Sequence, residues 1–251
     1  MLKSFITFLI HSTNEHGVHS PFVFNLIMQC FYDKKKYTAY QTIADYRNNL
    51  LTDNTTITVQ DFGAGSRIFK NNERQVKLLA KHVGISPKRA KLLYRIGNYF
   101  QVENALEIGT SLGIGTISLA LSCKHVTTLE GCPETAKTAL KYLNKNHIDN
   151  TALIVGNFDT EIPKLIEKYD LIYMDGNHQQ KATLNYFEQV LKLAHNDTII
   201  ILDDIHWSKE METAWKIICN DKRVSVSIDT FQWGIISLRK EQEKEHFVIR
   251  I

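Results

Sequence analysis

Residues 104–120, NALEIGTSLGIGTISLA, constrain the chain more than any other stretch. A short apolar run, Ala105–Ile108, leads into a loop carrying Gly109, Gly113 and Gly115, and Thr116–Ser122 then resumes at helical spacing. Strand, glycine turn and helix in that order open a nucleotide-binding βαβ unit. The next apolar run, HVTTLE (125–130), closes on Glu130, which lies 21 residues after Gly109. At that interval an acidic side chain meets the hydroxyls of a bound ribose.

The alternation continues past this unit. Apolar runs at 151–155 (TALIV), 170–175 (DLIYMD) and 198–204 (TIIILDD) are separated by segments of helical period: ETAKTALKYLNKN, EIPKLIEK and KATLNYFEQVLKLA. Such alternation predicts a parallel sheet with helices on its faces. After a helix at SKEMETAWKIICN come two more strand-like runs, 224–229 and 231–239, whose short gap predicts an antiparallel pair at the sheet edge. The expected fold is a Rossmann-like, doubly wound, seven-stranded and mostly parallel sheet. Residues 1–98 lack the alternation and read as a mainly helical extension, with helix-like stretches at Phe22–Tyr32, Tyr40–Leu51, Arg74–Val83 and Pro87–Tyr99 and one isolated strand-like run at 55–60. Two regions are therefore expected, a cap over 1–98 and a ligand-binding domain over 99–251.

A second G-x-G stretch, VQDFGAGSR (59–67), does not meet the same requirements. Its continuation is polar, and no apolar strand ending in an acid follows about twenty residues on. Asp61–Arg67 is read as a turn in which Gly63 and Gly65 supply positive φ, with a loop touching substrate through Ser66 or Arg67 as the alternative.

Composition excludes several classes. Of 251 residues, 43% are hydrophobic and 23% charged, enough for a sizeable core, and a net charge of +3 gives no case for nucleic acid. The four cysteines, Cys30, Cys123, Cys132 and Cys219, form no C-x-x-C pair and no zinc spacing, which fits reduced thiols in a cytoplasmic protein. MLKSFITFLIHS has too short an apolar run for a signal peptide and reads as an amphipathic helix. No stretch is long enough to span a membrane.

Glu107 sits two residues before Gly109. A carboxylate there would repel a pyrophosphate, which argues against a nicotinamide dinucleotide, and would suit a ligand carrying positive charge. S-adenosylmethionine carries a sulfonium, an ammonium and a ribose diol. The segment resembles motif I of the class I S-adenosylmethionine-dependent methyltransferases. The resemblance to their catechol-type, metal-dependent O-methyltransferases runs over about residues 86–239: SPKRAKLLYRIGNYFQVENALEIGTSLGIGTISLA, then LIVGNFDTEIPKLIEKYDLIYMDGNHQQKATLNYFEQV, then TIIILDDIHW. It implies that the methionine end meets Glu107, Gly109, Ser111 and Gly113, the ribose Glu130, and the adenine edge Asn157, Phe158 and Asp159, with Asp175 also on the cofactor. A helix cap is the competing role for Asn157 and Asp159.

Asp175 closes the fourth strand of the alternation, and Asp203 and Asp204 close the fifth. Three converging carboxylates repel one another unless a positive charge sits among them, and an all-oxygen set suits Mg²⁺, Mn²⁺ or Ca²⁺. The catechol-type enzymes bind a divalent metal at the matching positions through Asp and Asp-Asn, so the resemblance implies Asp175, Asp203 and Asp204 as ligands, Mg²⁺ first among the candidates, with an extra charge here at Asp204. Where those enzymes place a lysine base, this chain has His178 in DGNH. An imidazole can take a hydroxyl proton near neutral pH, or it can serve as a helix-start contact. His206 is a second candidate base or ligand, and Trp207 either walls the acceptor pocket or packs in the core.

The expected activity is methyl transfer to a hydroxyl of a small molecule, with Asp175 and His178 as catalytic residues. NEHGVHSPFVFNLIMQCFY (14–32) reads as a helix whose Phe22, Phe24, Leu26, Ile27 and Phe31 pack on the domain or across a homodimer contact, or as a segment lending His16 or His19 to the acceptor pocket. The rival activities are methylation of RNA or protein nitrogen, supported only by the basic helix Lys88, Arg89, Lys91 and Arg95, and non-catalytic cofactor binding.

Overall fold

The computed structural model describes residues 2–60 and 71–251, and the turn expected at Asp61–Arg67 lies outside them. In chain order the helices are α1 (Leu2–His11), α2 (Pro21–Leu26), α3 (Ala39–Leu51), α4 (Val76–His82), α5 (Pro87–Tyr99), α6 (Ile114–Ala120), α7 (Pro133–Lys145), α8 (Phe158–Glu161), α9 (Gln180–Leu191) and α10 (Lys209–Asn220). The strands are β1 (Thr56–Thr58), β2 (Glu73–Gln75), β3 (Asn104–Ile108), β4 (His125–Glu130), β5 (Thr151–Val155), β6 (Leu171–Met174), β7 (Ile199–Asp203), β8 (Val226–Asp229), β9 (Trp233–Ser237) and β10 (Glu245–Val248). They fall into two compact units, one of Met1–Asp33 with Leu165–Ile251, the other of Lys34–Lys164.

In the second unit β3, β4 and β5 run parallel, with Glu107 opposite Thr128 and Glu130 opposite Val155. Helix α5 begins as its sequence dictates. Ser86 caps it, accepting from the Arg89 amide at 3.3 Å, and Pro87 fills the first helical position, where no N–H is needed. Its buried face, Leu92, Leu93 and Ile96, packs on α6, and α3 packs on both α4 and α6. The strand-like run at 55–60 is not isolated: β1 pairs antiparallel with β2. The partner strand is Glu-Arg-Gln, which has no apolar signal, and it is held by register and by the burial of Arg74.

The helix expected over EIPKLIEK does not form: α8 ends at Glu161 and is followed by a single 3₁₀ turn at Ile162–Lys164. Pro163 lacks an N–H, and its ring crowds the carbonyl four residues back, so the α-helix cannot propagate.

In the first unit β6 and β7 are parallel, β9 lies antiparallel between β7 and β8, and β10 pairs parallel with β8. Strands β6, β7 and β9 are buried at every residue, as their unbroken apolar runs require. The architecture is the Rossmann-like α/β expected from the alternation, with eight strands, β3 to β10, in place of seven. The eighth, β10, displaces the antiparallel pair β8–β9 from the edge. Its sequence, EHFV, lies in a charged tail and alternates too weakly to announce a strand.

Near the amino terminus the buried stripe is Val23, Leu26, Ile27, Cys30 and Phe31, at three- and four-residue spacing. Phe24, expected inside, lies on the outer face and is 40% exposed. Phe22 is half-buried beneath the Arg239 guanidinium, 5.1 Å from its ring centre. His16 and His19 are both exposed. Among the described residues no helix is long and apolar enough to cross a membrane.

Candidate cofactor loop and carboxylate cluster

The glycine loop follows directly from the register of β3 and β4. Glu107 is buried at the end of β3, and Thr128 lies opposite it on β4. Side chains paired this way share a face, so the Thr128 hydroxyl donates to Glu107 Oε2 at 2.6 Å. Thr116, in the first turn of α6, donates to the same oxygen at 2.5 Å. The buried carboxylate is thus hydrogen-bonded from both the sheet and the helix, as a buried charge must be.

Between strand and helix the backbone passes through the left-handed region three times, at Gly109 (φ 110°), Ser111 (φ 49°) and Gly113 (φ 79°). Two of these are glycines, for which that region carries no steric penalty. Gly115, read as a loop glycine from the sequence, is instead buried within the first turn of α6. The Ser111 amide donates to Glu130 Oε2 at 2.7 Å and the Cys132 amide to Oε1 at 2.9 Å. Burial raises the Glu130 pKa, and the amides of Cys132, Ser111 and Gly131 oppose that rise. Each oxygen keeps a further lone pair, so the carboxylate can still accept from a vicinal diol.

Asn157 caps α8, its Oδ1 accepting from the Asp159 amide at 2.9 Å. The helix-cap role is therefore occupied. Asn157 and Asp159 are exposed, and Phe158 is half-buried beside them.

The other unit carries the acids of β6 and β7. Tyr173 and Asp175 are two residues apart and share a face. The Tyr173 phenol lies 3.0 Å from Asp175 Oδ2 and 2.8 Å from Asp203 Oδ2. It has one proton to give, so the second contact is satisfied only when one carboxyl is itself protonated. The electrostatics agree. Burial and the charge of Asp203 push Asp175 up to about 7, with Asp204 adding to the rise and His178 opposing it. His178 Nε2 stands 3.5 Å from Asp175 Oδ1. Burial pushes the imidazole down, but Asp175, Asp204 and Asp203 outweigh it and carry its pKa up to about 9. At neutral pH this ring holds its proton.

Three residues around these acids have left-handed backbones: Asn177 (φ 69°), His178 (φ 36°) and Asp204 (φ 53°). Non-glycine residues adopt that region at a cost of about 1–3 kcal/mol each, and they concentrate at functional sites. The Asp204 amide donates to Asp203 Oδ1 at 2.7 Å, which holds the turn. Trp233 sits opposite Asp203 on β9 with its ring 5.8 Å from that of Tyr173, and its buried indole N–H has no partner among the described residues.

Chemically the three aspartates suit a hard divalent cation, because the repulsion that raises Asp175 is the charge such an ion would neutralise. Their described arrangement is engaged otherwise, through the Tyr173 phenol and the Asp204 amide. Among the described residues no three His, Cys, Asp or Glu side chains are placed to hold a metal ion by themselves.

His206 does not join the cluster. Its Nε2 lies 2.8 Å from Asp229 Oδ2, its Nδ1 3.2 Å from Glu212 Oε1, and its ring stacks on Phe231 at 5.2 Å. With both nitrogens engaged it is a structural clamp. Trp207 is half-buried, and its amide donates to the Asp204 carbonyl at 2.9 Å.

The residues that sequence reasoning passed over are Thr116, Thr128 and Tyr173. Two of them had a signal: Thr128 precedes Glu130, and Tyr173 precedes Asp175, by the two-residue step that puts strand side chains on one face.

Comparison with known proteins shows what the chain is similar to. Residues 106–205 match a methyltransferase domain family. Catechol O-methyltransferase of Niastella koreensis is 28% identical over 131 residues, covering 49% of this chain and 58% of the relative. The catechol O-methyltransferase of Mycobacterium tuberculosis is 27% identical over 128 residues, covering 49% of this chain and 57% of the relative. The chain therefore spans a little under three-fifths of these curated relatives. Among solved structures, an O-methyltransferase from Bacillus cereus in complex with SAH superimposes with a TM-score of 0.57 at 20% identity, covering 84% of this chain and 94% of the other.

Proposed function

We propose that this chain, whose residues 106–205 match a methyltransferase domain family, transfers a methyl group from S-adenosylmethionine to a hydroxyl oxygen of a small molecule. The observation that carries this is the paired acids of the glycine loop. Glu107, buried and held by two threonines, suits the cationic methionine end with Gly109, Ser111 and Gly113. Glu130, held by two amides, suits the ribose diol. Asn157, Phe158 and Asp159 would border the adenine, with Asn157 also capping its helix.

In the reaction the acceptor oxygen loses its proton and attacks the methyl carbon in line with the carbon–sulfur bond. That bond breaks, its electron pair returns to sulfur, and the sulfonium becomes a neutral thioether. The protein's contribution is alignment of oxygen, carbon and sulfur, and a place for the proton. Asp175 supplies that place, and His178, which holds its own proton beside the aspartates, supplies it once that proton has left. The relatives' hydroxyl chemistry supports an oxygen acceptor. Asp175, Asp203 and Asp204 would hold a divalent cation, Mg²⁺ first, which when bound would lower the acceptor pKa and draw the His178 pKa down from the value the aspartates impose. The four cysteines, three of them buried, fit a reducing, cytoplasmic setting. Residues 1–98 are proposed to serve the domain at 99–251 as a mainly helical extension.

The test is methyl transfer from labelled S-adenosylmethionine to catechol, phenol and sugar hydroxyls, with added Mg²⁺ and with EDTA. Turnover that EDTA removes and Mg²⁺ restores is expected. Turnover indifferent to EDTA would retain the transferase and leave the aspartates with proton and hydrogen-bond roles only. Cofactor binding without turnover on any acceptor would favour a non-catalytic binding protein.

A further inference from the structure

The glycine loop is held from outside the matched methyltransferase domain. Tyr46 comes from α3, sixty-six residues before the loop, and is fully buried. Its phenol donates to the Leu112 carbonyl at 2.8 Å. Leu112 precedes Gly113, which caps α6 in the left-handed conformation at φ 79°. The phenol also packs on that glycine: a Cβ built on Gly113 would stand 2.5 Å from Tyr46 Oη.

The tyrosine is itself braced. Its ring meets the edge of Tyr142 at 6.0 Å, and the Tyr142 phenol donates to Asp53 Oδ2 at 2.7 Å. Asp53 also accepts from the Thr55 amide at 2.7 Å, which ties the chain of contacts to the start of β1. Burial and the nearby Glu107 charge keep the Tyr46 phenol protonated far above neutral pH, so it remains a donor. The phenol satisfies the Leu112 carbonyl at this buried turn, and an aliphatic or phenyl side chain could not replace it.

We propose that Tyr46 is a positioning residue for the cofactor loop: its phenol fixes the Leu112–Gly113 backbone, so that an amino-terminal helix sets part of the affinity for S-adenosylmethionine. The inference rests on the cofactor reading above. It assigns a binding role to α3, which lies outside residues 106–205.

The experiment compares wild type, Tyr46→Phe and Tyr142→Phe in calorimetric titration with S-adenosylmethionine, in thermal unfolding without ligand, and in steady-state kinetics. Tyr46→Phe removes only the oxygen that meets Leu112. It is expected to raise the cofactor Kd and KM about tenfold, the size of one lost buried hydrogen bond, with the acceptor KM and saturating kcat within about twofold. Tyr142→Phe cuts the brace to Asp53 without touching the loop. It should lower the unfolding temperature similarly while changing the cofactor Kd less than about threefold. Equal losses of affinity in both variants would reduce Tyr46 to a generally stabilising residue and overturn the proposal. So would an unchanged Kd in Tyr46→Phe when wild type binds. No binding by wild type would instead remove the cofactor reading, and the inference with it.

Discussion

The glycine loop and the carboxylate cluster both bury acids, and they treat them in opposite ways. Around the loop every acid has donors: Glu107 has two threonine hydroxyls and Glu130 two backbone amides. Around β6 and β7 the acids face one another. Asp175 is raised by burial and by Asp203, and a single phenol spans the two. The first region is complete as it stands and needs only a ligand of matching shape and charge. In the second, Asp175 and Asp203 repel each other, and the His178 ring 3.5 Å from Asp175 opposes that repulsion, an arrangement suited to exchanging protons or cations. Under the proposed function, binding and proton handling draw on the same residue types, set apart by how their neighbours satisfy them.

The contrast can be broken most forcefully at Asp175. Asp175→Ala should cut methyl transfer by about 10²- to 10⁴-fold while cofactor affinity changes little, because the loss is of proton handling and alignment. A parallel loss of cofactor affinity would place Asp175 in the binding region. The converse break is Gly113→Ala. A left-handed alanine costs about 1–3 kcal/mol, and its Cβ would strike the Tyr46 phenol, so cofactor Kd should rise at least about tenfold in calorimetry with saturating kcat largely kept. Tyr173→Phe sharpens the second region without dismantling it. Removing the shared donor should lower kcat about tenfold and leave cofactor Kd within about twofold. The smallest effect is expected at Asn157→Ala. Loss of the cap should cost about 1 kcal/mol in thermal unfolding, and any additional rise in cofactor Kd measures what Asn157 gives to adenine.

The alternating half of the chain was plain in the sequence. Strands β4 and β5, and helix α5 just before that half, fall at the boundaries their patterns gave, because buried parallel strands and a capped amphipathic helix each write their period locally. The placing of Glu107, Glu130, Asp175 and Asp203 at strand ends was legible for the same reason. What escaped was non-local or polar. Strand β2 is Glu-Arg-Gln and exists only through its pairing with β1. Strand β10 sits in a charged tail and is fixed by its register with β8. His206 looked available beside the Asp pair, but Asp229 and Glu212, 23 and 6 residues away, claim its nitrogens. The Tyr46–Leu112 bond spans 66 residues and leaves no trace in local pattern. The left-handed backbones at Ser111, His178 and Asp204 were likewise invisible, since none of these residue types demands that conformation.

The most direct measurement is calorimetric titration of S-adenosylmethionine into wild type and Asp175→Ala side by side. The expected result is one-to-one binding to both with similar Kd, the cofactor held by the satisfied acids of the loop and not by the cluster. Absence of binding to wild type would contradict the assignment of Glu107 and Glu130 to this cofactor.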